Sequence, residues 1–289
     1  MINIRRFTAA DLPLGLRLKE QAGWNQCPAD WHRVLALEPE GCFVAELDAR
    51  PVGTAATTVF GSVGWISLVL VDRQARGRGI GTQLVRHALE WLTERSVATI
   101  RLDATPLGRP IYEQVGFKPD YELQRWSGRA ETDQISTTIP ASRDAASVGA
   151  ELAAILEFDR LATGTDRRRL LEQLWAERQD RSLVSRHQST GVHGTVEAYG
   201  WLRPGSPRAQ IGPVVARCES DARSVLSSLC ESARTRDVIL DIPVDNRPAT
   251  DWAWEHGFQP QRALVRMTRG PRVAERLEWI WASFGPEKG

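Results

Sequence analysis

The apolar and polar positions in the first part of the chain predict a strand, a helix and then a meander of strands. Short runs rich in β-branched and apolar residues are typical of strands, and turn residues such as Gly61 and Gly64 separate them here. Thr8 and Asp11 are suited to begin a helix that continues to about residue 21. The predicted strands cover residues 2–6, 41–47, 52–60 and 65–71, and the last three form the meander.

A helical pattern follows the meander. From residue 79 to residue 95 the apolar positions recur at the spacing of one helix face, namely at Leu84, Val85, Ala88, Leu89 and Leu92. A strand at 97–103, a short helix near 108–115 and a strand at 117–126 then close a first unit. The polar segment 128–144 has no periodic apolar pattern, so we place a domain boundary there, between residues 133 and 134.

The second part of the chain repeats this order of elements. Predicted helices at 144–157, 166–178, 219–235 and 247–256 accompany strands at 182–187, 192–202, 209–216, 238–242 and 258–268. Individual residues repeat as well, because Leu102-Asp103, Thr105 and Gly116-Phe117 have counterparts in Leu240-Asp241, Asn246 and Gly257-Phe258. Such self-similarity indicates a duplicated domain. We therefore expect an α+β (mixed α/β) protein of two tandem domains, 1–133 and 134–289.

The composition narrows the classes of function. With 289 residues the chain is long enough for two domains, and its charged residues, 25% of the total, balance to a net charge of +1. A dedicated nucleic-acid binder would carry more positive charge, and no apolar run is long enough for a membrane span. The four cysteines lack the spacing of zinc ligands or of a disulfide framework. We expect a soluble cytoplasmic protein that has no metal site and binds neither nucleic acid nor membrane.

The segment VDRQARGRGIGTQLV, residues 71–85, contains the strongest candidate for a binding site. Gly77, Gly79 and Gly81 allow consecutive N–H groups to face one concavity at the start of a helix, an arrangement that binds phosphate. A tight strand-to-helix turn is the simpler alternative, but one glycine is usually enough for it. A P-loop requires a following lysine, and a dinucleotide-binding fingerprint requires GxGxxG after the first strand of a βαβ unit. Neither condition is met.

Together with its surroundings, this loop resembles that of the GCN5-related N-acetyltransferase (GNAT) superfamily. The resemblance rests on Arg76-x-x-Gly79-x-Gly81, on the preceding strand LVLV and on LDATPLGRPIYEQVGF at 102–117. It implies acetyl-CoA as cosubstrate and, in each domain, a mostly antiparallel twisted sheet with flanking helices and a splayed central strand pair. The stretches GWNQ at 23–26, LDAT at 102–105 and IGPVVA at 211–216 are similar to tandem members of the YitH type, whose second domain is degenerate.

The resemblance also implies roles for individual residues. Backbone groups near Val69 and Val71 would pair with the pantetheine arm, and Tyr112 would protonate the departing thiolate of coenzyme A. Asp103 is our favoured general base, with Glu113 or a water chain as alternatives, although Asp103 is equally suited to cap the helix that follows. The predicted coenzyme-binding residues are Val69, Leu70, Val71, Arg76, Gly77, Arg78, Gly79, Ile80, Gly81, Thr82 and Tyr112.

The segment between the first helix and the second strand corresponds to the acceptor-binding loop of this family. Its indole, amide and carboxylate groups suit an amine with an apolar or aromatic body, although they could equally hold the loop on the fold. The predicted acceptor-binding residues are Trp24, Asn25, Gln26, Trp31, Trp65 and Asp103. We expect a small-molecule amine as acceptor. A protein N-terminus or lysine as acceptor, and a non-catalytic acyl-CoA sensor, are the alternative functions.

The second half lacks the features that the first half would use. No glycine occurs between residues 213 and 256, the start of the equivalent helix is acidic, and the counterpart of Tyr112 is Ala253. Carboxylates at that helix start would repel a pyrophosphate. We expect the second half to bind no coenzyme and to form part of the wall of the acceptor pocket. The residues that could do so are those around Asp159, Arg160, Asp166 and Arg167, or Tyr199 and Trp201.

Overall fold

The computed structural model describes residues 1–129, 145–177, 182–187, 195–233 and 237–286. The elements of the first half are β1 (Ile2–Arg6), α1 (Leu12–Ala22), α2 (Pro28–Leu37), β2 (Cys42–Leu47), β3 (Arg50–Phe60), β4 (Val63–Val71), α3 (Ile80–Glu94), β5 (Thr99–Ala104), α4 (Arg109–Gln114) and β6 (Lys118–Gly128). The elements of the second half are α5 (Ala145–Thr163), α6 (Arg168–Glu177), β7 (Ser182–His187), β8 (Thr195–Arg203), β9 (Ala209–Ala216), α7 (Glu219–Ala233), β10 (Val238–Pro243), α8 (Arg247–Glu255), β11 (Gln259–Arg269) and β12 (Ile280–Ala282). The predicted boundary between residues 133 and 134 lies outside the described residues.

Two elements are absent from the sequence-based prediction, α2 and the short strand β12. α2 begins at Pro28, a residue suited to the first turn of a helix, and the Asp30 carboxylate accepts a hydrogen bond from the Cys27 N–H at 2.9 Å. Its inward face carries Trp31 and Leu37, which are almost fully buried. The segment that we expected to be an acceptor-binding loop is therefore partly a core helix.

One continuous sheet runs through both halves of the protein. Among the described strands the order is β1-β2-β3-β4-β5-β11-β6-β10-β9-β8-β7, and β12 pairs with β9 beside this path. Two neighbouring pairs, β4 with β5 and β9 with β10, are parallel, and each is connected through a helix, α3 or α7. The other described pairs are antiparallel. This arrangement confirms the mixed α/β class and the mostly antiparallel sheet.

The last long strand of each half lies in the part of the sheet that belongs to the other half. β6 pairs with β10, β11 pairs with β5, and β6 and β11 pair with each other at the centre. The expectation that the strand at 117–126 closes the first unit is therefore wrong. Buried ion pairs connect the two halves at these exchanged strands. Arg125 on β6 binds Asp241 on β10, and Arg266 on β11 binds Asp103 on β5. The two halves thus share the centre of one sheet.

The first half has the splayed strand pair that the resemblance implies. β4 and β5 pair only where Val63–Trp65 faces Thr99–Arg101, and the strands separate toward their C-terminal ends. Leu68, on the separated part of β4, has a φ of 51° and lies where the register with β3 shifts. The Thr54 hydroxyl donates to the Leu68 carbonyl oxygen at 2.8 Å and stabilises this bulge. The candidate site lies in the gap between the separated strands.

Helix α3 covers one face of this region. The five apolar positions identified from their spacing are all buried, as predicted. Ile80, the first residue of α3, is also buried and belongs to the same apolar cluster as Ile66 of β4. This packing holds the N-terminus of α3 beside the separated end of β4. None of the described helices is both long and apolar enough to cross a bilayer.

Candidate active site

An open cleft of about 750 Å³, the outer cleft, lies where β4 and β5 separate. Its walls include the C-terminal end of β4, the loop that follows it, the first turn of α3 and the segment from Asp103 to Tyr112. All of the predicted coenzyme-binding residues line it except Arg78, whose side chain is exposed elsewhere on the loop. The residues that the sequence motif singled out are therefore brought together around one space.

The glycine-rich loop presents unbonded backbone donors to the outer cleft. Gly77 and Gly79 have φ angles of 75° and 77°, a left-handed conformation that glycine adopts without strain. Nothing lies within 4 Å of a Cβ added at either position, so it is the conformation that demands glycine there. The N–H groups of residues 77–82, which include the first turn of α3, have no acceptor among the described residues. A row of unbonded N–H groups at the positive end of a helix dipole has the geometry of a nest that can bind an anion.

The free edge of β4 supplies a second set of backbone groups. The Asp72 N–H donates to the Val52 carbonyl oxygen of β3 at 2.8 Å, and hydrogen bonds alternate in direction along an antiparallel strand. The backbone groups of Val69 and Val71 therefore face the gap on the β5 side. Arg76 Nε donates to the Val71 carbonyl oxygen at 3.1 Å, which links this edge to the glycine-rich loop. An extended chain that contains amides could pair with this edge like an added strand.

Tyr112 on α4 is half-buried and lines the outer cleft. Its ring packs edge to face on Phe117 with 6.0 Å between the ring centroids. A Cβ added at Gly108 would lie 3.1 Å from Cε2 of the Tyr112 ring, so glycine there leaves room for it. The hydroxyl has no hydrogen-bond partner among the described residues. Burial raises the pKa of Tyr112, so the phenol is protonated at neutral pH and can donate a proton in the cleft.

A second and more enclosed space, the inner cavity, continues from the outer cleft toward the second half. The residues that line both spaces form the junction between them, and they are Trp24, Val69, Asp103, Thr105, Tyr112 and Arg262. The remaining lining residues of the inner cavity are Gln26, Ile66, Ser67, Leu68, Arg125, Leu264 and Pro286. The second half contributes Arg262, Leu264 and Pro286, so it supplies one wall of the inner cavity.

This wall is not formed by the residues that we expected from the sequence. Asp159, Arg167 and Tyr199 form a buried cluster, in which Arg167 Nη2 lies 2.5 Å from Asp159 Oδ1 and the Tyr199 hydroxyl donates to the same carboxylate. Trp201 packs against the Tyr199 ring with centroids 5.4 Å apart. These side chains line neither the inner cavity nor the outer cleft. Instead they stabilise the interior of the second half.

Three of the predicted acceptor-binding residues, Trp24, Gln26 and Asp103, line the inner cavity. Asn25, between two of them in the chain, does not. Its Nδ2 donates to the Arg208 carbonyl oxygen at 2.8 Å, and its Oδ1 accepts from the Arg208 N–H at 3.0 Å. Asn25 therefore ties the loop of the first half to the second half and in this way holds its neighbours in place.

Trp31 and Trp65 also lie away from both spaces. Trp31 stacks on Phe7 with ring centroids 5.2 Å apart and is almost fully buried. The Trp65 ring lies 4.8 Å from the Arg266 guanidinium, and its Nε1 donates to the Pro286 carbonyl oxygen at 3.4 Å. Both indoles thus support the fold around the site, and the geometry gives them no direct contact with an acceptor.

Asp103 reaches the junction but is held in a buried ion pair. Arg266 donates from Nε to Oδ1 at 2.7 Å and from Nη2 to Oδ2 at 2.9 Å, and neither side chain is more than 2% exposed. Because both carboxylate oxygens are engaged, this geometry argues against Asp103 as a general base and against its role as a helix cap. The alternative base, Glu113, binds Arg109 at 2.7 Å on the exposed side of α4 and lines neither space.

Three polar residues of the inner cavity, Ser67, Arg125 and Arg262, were not found from the sequence. Ser67 Oγ is buried on β4 and has no hydrogen-bond partner among the described residues. Arg262 on β11 forms no ion pair with any described carboxylate, and its Nη2 donates to the Gly23 carbonyl oxygen at 3.4 Å. The one available signal was a serine within the otherwise apolar strand WISLVLV. No sequence pattern points to Arg262, because it reaches the site only through the exchange of β6 and β11 between the halves.

The equivalent gap in the second half is filled by the chain itself. β9 and β10 pair only where Ala209 and Gln210 face Val238 and Ile239. β12 then pairs with β9, and the Ser283 N–H donates to the carbonyl oxygen of Asp241 on β10 at 2.8 Å. Glycine at position 212 makes room for this segment, because a Cβ there would lie 2.2 Å from the Ser283 carbonyl oxygen. The strand edge that is free in the first half is therefore occupied in the second.

Comparison with known proteins relates each half to the same family. Residues 11–117 match the acetyltransferase (GNAT) family, and residues 155–282 match an acetyltransferase (GNAT) domain. The uncharacterized N-acetyltransferase YitH of Bacillus subtilis is 24% identical over 246 residues, which cover 84% of this chain and 83% of YitH.

Solved structures with the same fold extend over nearly the whole chain. A Pyrococcus horikoshii protein assigned as an acetyltransferase superposes with a TM-score of 0.79 at 23% identity, covering 100% of this chain and 96% of the other. A tandem GNAT protein from the clavulanic acid biosynthesis pathway superposes with a TM-score of 0.65 at 16% identity, covering 94% of this chain and 100% of the other. At these identities the likeness concerns the fold.

Proposed function

The chain belongs to the GNAT acetyltransferase family, with one such domain in each half, and on this premise we propose that it transfers an acetyl group from acetyl-CoA to a small-molecule amine. The observation that carries the proposal is the row of unbonded N–H groups at residues 77–82, beside a free strand edge and a protonated phenol. The nest would bind the pyrophosphate, and Val69 and Val71 would pair with the pantetheine arm. The thioester would then lie at the junction, where the outer cleft meets the inner cavity.

Tyr112 is the proposed general acid. In the transfer, the amine nitrogen forms a bond to the carbonyl carbon, the carbon–sulfur bond breaks, and the Tyr112 hydroxyl gives its proton to the departing thiolate. The products are an amide and the free thiol of coenzyme A, and the phenol regains a proton through water. A hydroxyl without a partner in the protein is free to donate in this way, and a raised pKa keeps it protonated until the thiolate forms.

The amine must lose a proton, and we propose that water carries it from the junction to solvent. Asp103 has both oxygens engaged by Arg266, so it is better suited to hold the end of β5 against β11 than to accept a proton. Water was among the alternatives that the sequence left open. Glu113 lies outside both spaces, which leaves it without a direct path to the amine.

Two features favour a small-molecule acceptor and an active enzyme over the alternatives. The inner cavity has a wall from β11 and the C-terminal segment, which leaves less room for a polypeptide acceptor. A sensor without turnover would have no need for a phenol at the junction. We accordingly propose residues 1–133 as the catalytic domain and residues 134–289 as a degenerate domain that walls the acceptor site and binds no coenzyme.

The coenzyme site can be tested by copying the acidic helix start of the second half into the first. Thr82 is the third residue of α3, and Asp221 is the third residue of α7. Like charges about 4 Å apart near a protein surface repel by roughly 4 kcal/mol, so Thr82→Asp should weaken coenzyme A binding at least roughly tenfold. The same carboxylate favours the helix dipole, so folding should not suffer. Thr82→Asn is the uncharged control of equal size.

Calorimetric titration with coenzyme A should give one site per chain in the wild type and in Thr82→Asn, and a weak site in Thr82→Asp. Equal affinity in all three proteins, or two sites per chain, would contradict the proposed coenzyme site. Thiol release from acetyl-CoA, measured across a panel of amines, then tests the transfer. Binding without release from any amine would favour the sensor.

A further inference from the structure

The inner cavity contains a positive charge that the protein does not balance. Arg262 and Arg125 face each other on the neighbouring strands β11 and β6. Arg125 is neutralised by Asp241, through hydrogen bonds of 2.7 Å and 2.8 Å. Asp103, the one carboxylate that lines the cavity among the described residues, is neutralised by Arg266. Arg262 is thus left without a described carboxylate partner.

The position of Arg262 is costly for the free protein. Its side chain is only partly exposed, and the one described hydrogen bond of its guanidinium group is long, 3.4 Å from Nη2 to the Gly23 carbonyl oxygen. Burial and the positive charge of Arg125 lower the pKa of Arg262, and Asp241 only partly offsets them. A partly buried guanidinium is held at lower cost when an anion binds it, and because Arg262 lines the cleft, the missing counter-charge points to an anionic ligand there.

Arg262 also lies at the point where the reaction is proposed to occur. It lines both the outer cleft and the inner cavity, as Tyr112 does. A group bound by Arg262 is therefore near the acetyl donor on one side and the acceptor space on the other. The pyrophosphate of the coenzyme is proposed to bind the glycine-rich loop, to which the Arg262 side chain makes no described hydrogen bond, so we assign the counter-charge to a different group.

We infer that Arg262 binds an acidic group of the acceptor, and that the acceptor is a small amine which also carries a carboxylate. This inference rests on the proposed acetyl transfer. A single guanidinium presents a planar fork that matches a carboxylate, and its one charge matches a monoanion. The inner cavity, about 20 Å³, has room for little more than one water molecule, so the rest of the acceptor would lie in the outer cleft beside Trp24, which lines both spaces.

Matched pairs of amines test the inference. Each pair consists of an amino acid and the amine that lacks its carboxylate, such as leucine with 3-methylbutylamine and phenylalanine with 2-phenylethylamine. Thiol release is measured for the wild type, for Arg262→Gln and for Arg269→Gln, an exposed arginine on the same strand that lines neither space. A charged hydrogen-bonded pair contributes enough that the wild type should prefer the acidic member by roughly 10- to 100-fold in kcat/KM.

In Arg262→Gln this preference should collapse toward equality, mainly through a higher KM for the acidic member, whereas Arg269→Gln should keep it. A wild type that prefers the amines without a carboxylate would overturn the inference. An Arg262→Gln variant whose kcat/KM falls by the same factor for both members of a pair would also overturn it. Preference for an aminoalkylphosphonate analogue would overturn the assignment of a carboxylate. If no amine supports thiol release while the protein still binds coenzyme A, the proposed transfer is overturned, and this inference with it.

Discussion

Replacing Tyr112 by phenylalanine removes one oxygen atom whose role is proposed to be purely chemical. The hydroxyl has no partner among the described residues, and the ring contact with Phe117 does not involve it. The free energy of unfolding should therefore change by no more than about 0.5 kcal/mol. Coenzyme A affinity should also be preserved, because the nest and the edge of β4 are untouched.

The rate should fall much further than the stability. General acid catalysis typically contributes about 10²- to 10⁴-fold, which corresponds to roughly 2.7–5.4 kcal/mol of activation free energy. We expect a loss of this size in kcat with the best amine of the panel. The raised pKa of Tyr112 adds a pH prediction: the wild-type rate should not decline as pH rises to about 10, the ordinary value for tyrosine, since the phenol is still protonated there.

The chain offers a matched control for this substitution. It contains three tyrosines, and Tyr199 donates its hydroxyl to the buried Asp159 carboxylate. Tyr199→Phe leaves that carboxylate without one hydrogen bond, which should cost about 1–3 kcal/mol of stability and leave kcat unchanged. The assays are urea unfolding and thiol release on both variants. A Tyr112→Phe enzyme within twofold of the wild-type rate would remove Tyr112 from the mechanism. A stability loss as large as that of Tyr199→Phe would instead show that the hydroxyl also has a structural role.

Two further predictions concern a buried ion pair that connects the halves and the segment that fills the gap of the second half. Burial opposes ionisation of Glu275, but the charges of Arg101 and Arg266 outweigh burial and hold the pKa of the Glu275 carboxyl below the ordinary 4.5. The ionised carboxylate therefore stabilises the fold above pH 4.5, and this stabilisation is lost as the pH falls through the lower pKa of the folded state. Glu275→Gln should therefore cost about 3–5 kcal/mol in urea unfolding at pH 7 and progressively less below pH 4.5, and a pH-independent difference would refute this. Gly212→Ala places a Cβ 2.2 Å from the Ser283 carbonyl oxygen, so it should destabilise the protein by about 1–3 kcal/mol. Wild-type stability in that variant would show that the C-terminal segment does not fill the gap.

The sequence alone determined the features that depend on neighbours in the chain. The apolar spacing of α3, the glycine-rich loop before it and the spacing from Thr105 to Tyr112 are local patterns, and the structure has α3 and the loop as these patterns predict. Backbone conformation explains why such patterns are informative. A left-handed φ at Gly77 or Gly79 and an apolar helix face are both requirements of a few consecutive residues.

Only the tertiary structure decided which strands share the sheet and which side chains meet at the inner cavity. Arg262, Ser67 and Pro286 lie far apart in the chain and approach one another because β6 and β11 exchange places between the halves. It also decided that Trp31 belongs to the core and that β12 fills the gap of the second half. Pairing between distant strands depends on the burial and hydrogen bonding of the whole sheet, and no short stretch of sequence contains that information.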